Sequence, residues 1–115
     1  MGDLEILRDK MRAFIAERDW GQFHSPKNLA MALSVESSEL LEIFQWLTEE
    51  QSRSLDPHAK AAAGEEIADV LLYLVRIADQ LGIDLVAEAH RKLEKNAEKY
   101  PVEKSRGTSK KYNEL

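Results

Sequence analysis

Two pairs of carboxylates stand out: Glu36 with Glu39, and Glu66 with Asp69, each three residues apart in an otherwise apolar segment. On an α-helix, positions i and i+3 lie on one face, about 60° apart around the axis. If the two acidic faces meet, four carboxylates converge, repel one another and force some members to take up protons. A hard divalent cation removes that conflict. Oxygen-only ligation points to Mg²⁺, with Mn²⁺ as the alternative, rather than to Zn²⁺. With 21 acidic residues in 115, either pair alone reads as a solvated helix face. The surroundings argue for more. Leu33, Leu40, Leu41, Ile43, Phe44 and Leu47 flank the first pair, and Ile67, Val70, Leu71, Leu72, Leu74 and Val75 flank the second. Helices apolar over so much of their circumference are expected to be largely buried, where an unpaired carboxylate is costly.

The elements that must carry these residues read as helices throughout. Asp3 is expected to cap a first helix running to about Asp19, and Trp20-Gly21 to end it through a left-handed glycine. Ser25-Pro26 combines a capping hydroxyl with a proline in the first turn, starting a second helix that runs to about Trp46. This helix carries Glu36 and Glu39; Glu42 lies about 240° round from Glu36 and points elsewhere. Thr48-Glu49-Glu50-Gln51 has the spacing of a capping box. Asp56-Pro57 starts a third helix that ends at Leu81, before Gly82. Gly64 inside it costs about 1 kcal/mol relative to alanine, as either a close backbone approach or a tolerated surface glycine. Asp84 caps a fourth helix that must stop near Tyr100, because Pro101 cannot continue it. No run has the alternation of a strand. The expected fold is an all-α four-helix bundle with short connections, over residues 1–101, followed by a basic, unpatterned tail at 102–115. The third helix has few polar positions between Ile67 and Ala78, so a second subunit is expected to cover part of it.

Composition narrows the chemistry. There is no cysteine, so disulfides, zinc ribbons and thiol nucleophiles are excluded. The net charge of −5 disfavours a nucleic-acid polymer as partner. The longest apolar run, Val70 to Val75, is too short to span a membrane, and the start of the chain lacks a signal peptide, so a cytoplasmic location is expected. Half of the 16 basic residues fall in the last 25 positions, which suits phosphate oxygens near a carboxylate-held ion but equally a solvated helix and tail. Phosphate-binding glycine loops, the His-Glu-x-x-His zinc motif and the EF-hand loop are absent. His24, His58 and His90 share no spacing and read as surface or helix-end residues. Trp20 and Trp46, taken alone, read as core aromatics, although both sit at helix ends where a pocket mouth would be.

The run Ala32-Leu33-Ser34-Val35-Glu36-Ser37-Ser38-Glu39-Leu40, then Glu42-Ile43-Phe44-Gln45-Trp46, and later Glu65-Glu66-Ile67-Ala68-Asp69-Val70-Leu71, resembles the MazG-like superfamily of all-α nucleotide pyrophosphohydrolases. Glu17-Arg18-Asp19-Trp20, Gln22-Phe23-His24, Lys99-Tyr100-Pro101 and Ser109-Lys110-Lys111-Tyr112 are similar to its dCTP pyrophosphatase branch. The resemblance implies Mg²⁺ ligands at Glu36, Glu39, Glu66 and Asp69, base-sandwiching rings at Trp20 and Trp46, and a further pocket residue at Tyr73. It implies phosphate contacts at Lys92 and Asn96, and homodimers or homotetramers with sites where subunits meet. The implied activity is hydrolysis of dCTP, or a modified dCTP, to the monophosphate and pyrophosphate by a metal-activated water, in nucleotide-pool sanitation. Such phosphorus chemistry is mostly positioning and charge neutralisation and needs no side-chain nucleophile. Glu39 is the expected residue to orient or deprotonate the water. The chain departs from the pattern at Val35, where the broader family often has glutamate, and at Met11, where vertebrate members of the branch use a histidine to hold the base. The competing readings are a relative acting on dUTP, another non-standard nucleotide or phosphoribosyl-ATP, and a non-enzymatic metal-binding helical module.

Overall fold

The computed structural model describes all 115 residues and contains helices and turns but no strand. It divides into two compact units, Met1–Gly82 and Ile83–Leu115. The first holds α1 (Asp3–Glu17), a 3₁₀ turn (Gly21–Phe23), α2 (Pro26–Phe44), the single turn α3 (Glu49–Ser52) and the long α4 (Pro57–Leu81). The second holds α5 (Leu85–Lys99), the turn α6 (Val102–Ser105) and a 3₁₀ turn at Tyr112–Glu114.

Most helix starts follow from capping chemistry. Ser25 Oγ accepts from the Asn28 amide at 3.1 Å, Asp56 Oδ1 from Ala59 at 2.8 Å and Asp84 Oδ1 from Ala87 at 3.1 Å. Each such cap stabilises its helix by about 1 kcal/mol. Around α3 the capping box is complete, with Thr48 Oγ1 accepting from Gln51 N and Gln51 Oε1 accepting from Thr48 N. Gly82 ends α4 at φ 66°, in the left-handed region where a side chain is strained.

Two expectations at the first helix are corrected. Asp3 is the first helical residue rather than its cap, and Gly2 precedes it without a side-chain hydrogen bond. The left-handed residue after α1 is Asp19, at φ 51°, not Gly21. Aspartate is among the few non-glycine residues that tolerate this conformation. The reversal is then tied down locally: Trp20 N–H donates to Ile15 O at 3.1 Å, Gln22 Nε2 to Asp19 O at 3.0 Å, and Asn28 Nδ2 to Phe23 O at 3.0 Å. These bonds fix Trp20 and His24 relative to α1.

Within the first unit, α4 packs against both α2 and α1. The core is small: Ile15 from α1, Leu29 from α2, and Ala63, Val75 and Ala78 from α4. Gly64 faces open space, so it is a surface glycine and no close approach requires it. The expected burial of the acidic helices is only partly met within one chain. Ile67, Leu71, Leu74 and Leu81, at i, i+4, i+7 and i+14, form an apolar stripe along α4 that is 36–55% exposed. In the second unit, the segment expected to be unpatterned contains ordered turns. Tyr112 meets Tyr100 edge to face at 6.2 Å, and Lys99 Nζ lies 4.9 Å from the Tyr112 ring.

Candidate active site

The i, i+3 spacing on α2 and on α4 turns the two acidic pairs toward each other where these helices pack. Carboxylate oxygens of Glu36, Glu39 and Glu66 lie within 4.8 Å of one another. Asp69 stands outside this tight triplet but close enough for its charge to act on both Glu36 and Glu66. No Lys, Arg or His pairs with any of the four; the ion pairs of the chain use Asp9, Glu17, Glu49, Asp79 and Glu88 instead.

The electrostatic conflict is visible at named atoms. Glu36 Oε2 and Glu66 Oε2 are shielded from solvent and accept no hydrogen bond. Burial, and after it the charge of Glu39, push the Glu36 carboxyl up to about 7. Burial and the same neighbour raise Glu66. Burial and the nearby carboxylates also raise the Tyr73 phenol, keeping it protonated. Orphaned carboxylate oxygens, all-oxygen donors and missing counter-cations fit a hard divalent ion held by Glu36, Glu39 and Glu66, with Asp69 beside them.

A stability prediction follows from the sign of the shift. A carboxyl raised in the folded state binds its proton more tightly there than in the unfolded chain. Its contribution is therefore present in full below about pH 4.5 and is lost as pH rises through about 7. Without divalent ions the melting temperature should fall by several degrees between pH 5 and pH 8. Added Mg²⁺ should restore most of that loss at pH 8 and little at pH 5. Thermal melts with EDTA and with Mg²⁺ would show it; a flat profile would remove the cluster from the stability of the chain.

Beside the carboxylates lies a cavity of about 410 Å³, inside the range of small-molecule sites. One wall is apolar, formed by Met11, Phe14, Trp20 and Leu72. Trp20 and Phe14 meet edge to face at 5.7 Å, and the Arg18 guanidinium sits 3.6 Å from the Phe14 centroid, bracing the pair. Its polar lining is Asp69, Tyr73 and Arg76 at i, i+4 and i+7 of α4, His24 from the turn before α2 and Lys10 from α1. Asp69 belongs both to this lining and to the electrostatics of the acidic cluster, so the two compartments adjoin.

A model of the MazG-like family matches residues 31–115. The chain belongs to the MazG-like family. Among its MazG-like relatives, the dCTP pyrophosphatase 1 of Mus musculus is 45% identical over 97% of this chain and 67% of its own length. That of Homo sapiens is 43% identical over 97% of this chain and 67% of its own. A solved structure of a pyrophosphatase from Archaeoglobus fulgidus superposes with a TM-score of 0.82 at 42% identity, covering 88% of this chain and 94% of that one. The all-α MazG-like reading of the sequence is thereby borne out.

Within this MazG-like frame the expected site residues divide into three groups. Glu36, Glu39 and Glu66 come together with Asp69 beside them, and Trp20 and Tyr73 line the adjoining cavity. Trp46 is 87% exposed just beyond α2 and does not line the cavity. Lys92 and Asn96 lie one turn apart on α5, in the second unit. Sequence reasoning overlooked Arg76 and His24, which contribute to the polar lining. His24, expected as a surface or helix-end residue, stands at the end of the Gly21–Phe23 turn directly before α2, and its Nδ1 accepts from Arg76 Nε at 3.0 Å. The one available signal was a lone arginine directly after the apolar run Val70 to Val75.

Proposed function

We propose that this MazG-like chain hydrolyses dCTP, or a modified dCTP, to the nucleoside monophosphate and pyrophosphate, with Mg²⁺ or Mn²⁺ as cofactor, in nucleotide-pool sanitation. The observation that carries the reading is the junction at Asp69 between a counter-ion-free carboxylate cluster and an aromatic-walled cavity. Relatives named dCTP pyrophosphatase 1, matched over 97% of this chain, support the substrate.

In this reading the cavity takes the base and the cluster faces the phosphates. The water oxygen attacks the α-phosphorus and the bond from that phosphorus to the bridging oxygen breaks, so pyrophosphate leaves. Glu39, the most exposed member of the triplet, accepts the proton of the water. Glu36, Glu39, Glu66 and Asp69 hold the divalent ion, whose bound form would lower the pKa of water and offset phosphate charge. Trp20 stacks on the base, and Tyr73 keeps its hydroxyl as a donor. Lys92 and Asn96 supply a cation and an amide for phosphate oxygens.

The apolar stripe on α4 supports a homodimer or homotetramer, in which a second copy covers it and the exposed ring of Trp46 meets the base. No helix is long and apolar enough to cross a membrane, and action in the cytoplasm on free nucleotides, not on a nucleic-acid polymer, belongs to the same proposal.

The test is a pyrophosphate-release assay over dCTP, 5-modified dCTP, dUTP and phosphoribosyl-ATP, with and without Mg²⁺. Mg²⁺-dependent release from dCTP is expected. Release only from another member would reassign the substrate, and none from any of them would leave a metal-binding module. In the same assay Trp20→Ala should raise KM for dCTP about tenfold or more, since stacking a base on an aromatic ring contributes about 1–3 kcal/mol. An unchanged KM would return Trp20 to a packing role.

A further inference from the structure

Arg76 is the one charged residue that is buried, at 8% exposure, and the proposed chemistry has not used it. It lies seven residues beyond Asp69 on the same helix, about 10 Å along the axis, a distance a deoxyribose and base can span from the phosphates. Its bonds are uneven. Nε donates to His24 Nδ1 at 3.0 Å, and Nη1 makes only a long 3.4 Å bond to Asp79 Oδ2. Asp79 is already engaged by Arg12, whose Nε donates to the same oxygen at 2.8 Å, and that bond holds the Asp79 carboxyl below its ordinary range. Two guanidinium groups thus share one carboxylate, and Arg76 Nη2 has no acceptor in the protein.

The hydrogen bond from Arg76 also decides the state of His24. With Nδ1 accepting, the ring proton of the neutral imidazole must sit on Nε2. Burial and the adjacent guanidinium lower the pKa of His24 and keep it neutral at pH 7. Its Nε2–H, like Arg76 Nη2, finds no acceptor in the chain. Both residues line the cavity together with Trp20 and Phe14. The cavity therefore presents two N–H donors that the protein supplies with no acceptor.

We propose that Arg76 and His24 read the base, donating to O2 and N3 of cytosine, and so set the preference for cytosine over uracil. The proposal rests on the reading of this cavity as the base site. Cytosine carries two adjacent acceptors on that edge, whereas uracil and thymine carry an N3–H that would point a donor at a donor. A site built to hydrogen-bond a substrate rejects an analogue that leaves its buried polar groups unpaired. The pair also supplies the cavity with an imidazole from the turn before α2, while α1 lines it with Leu7, Met11, Phe14 and Ile15, none of which can make such a bond, and with the ammonium of Lys10.

The experiment measures kcat/KM for dCTP, dUTP and 3-deaza-dCTP, in which a C–H replaces the N3 acceptor while O2 and the amino group remain. The wild-type chain should prefer dCTP to each of the others by about tenfold or more. His24→Phe, which removes the donor to N3, should lower kcat/KM for dCTP about tenfold but leave 3-deaza-dCTP nearly unchanged, collapsing the ratio toward one. Arg76→Leu, which removes the donor to the retained O2, should instead lower both about tenfold and keep the ratio. His24→Gln, which keeps an amide donor, should recover part of the preference. Equal losses on dCTP and 3-deaza-dCTP in His24→Phe, or no loss on either in Arg76→Leu, would overturn the proposal. If Arg76→Leu does not fold, His24→Phe and the wild-type ratio decide, and equal wild-type rates on dCTP and 3-deaza-dCTP also overturn it. A wild-type chain that releases pyrophosphate from none of the three fails at the parent reading instead, and the proposal falls with it.

Discussion

Glu36→Gln and Glu66→Gln should each cut Mg²⁺-dependent pyrophosphate release by about 100- to 1000-fold, the usual cost of removing one preorganised electrostatic group from a reacting centre. Both residues place a solvent-shielded oxygen without a partner in the acidic cluster, so the amide removes a charge from the point where none is compensated. The same substitutions should not damage the fold. At pH 8 and without divalent ions they should raise the melting temperature, because one member of a repelling set has been neutralised. Opposite signs for activity and metal-free stability separate a metal-holding role from a structural one. Asp69→Asn should also impair turnover, with a smaller gain in stability, since Asp69 stands outside the tight triplet. Near-normal Mg²⁺-dependent rates in the Glu36 and Glu66 variants would sink the assignment.

Leu74→Asp, or Ile67→Asp, should dissociate the proposed oligomer and with it most of the activity. Ile67, Leu71, Leu74 and Leu81 share one side of α4, yet each remains 36–55% exposed in the single chain. An apolar stripe of this length on the central helix is what a second copy would cover, and one aspartate there would have to be desolvated without a cation. Light scattering should give the wild type a mass of two or four chains of 13.1 kDa, and the variants the mass of one. Far-ultraviolet circular dichroism should still report helix in the variants. A wild-type chain that is monomeric at assay concentrations, and fully active, would refute the idea.

Much of the fold was legible because its determinants are local. The caps at Ser25, Asp56 and Asp84 and the box at Thr48–Gln51 act within three residues. Gly82 in the left-handed region and Pro101 after Tyr100 end helices by backbone sterics alone. The carboxylate pairs were legible for the same reason, since a spacing of three on a helix states which face they share.

Other features depended on segments far apart in the chain. The hydrogen bond that makes His24 a neutral donor joins residues 52 positions apart, and Arg12 reaches Asp79 across 67. No periodicity records such partners, so a histidine in a turn and an arginine after an apolar run looked unremarkable. The Tyr100–Tyr112 contact gives the end of the chain an order that its sequence pattern does not announce. Asp19 displaced Gly21 as the left-handed residue because the turn is closed by bonds to Ile15 and Gln22, which depend on where α1 stops. By itself, then, the sequence determined where helices start and stop and which acids share a face, because helix geometry and capping act over three or four residues. Only the tertiary structure decided that Glu36, Glu39 and Glu66 form the tight triplet with Asp69 at its edge, and that Arg76 and His24 close the cavity, because those relations arise from packing α2, α4 and the α1–α2 turn together.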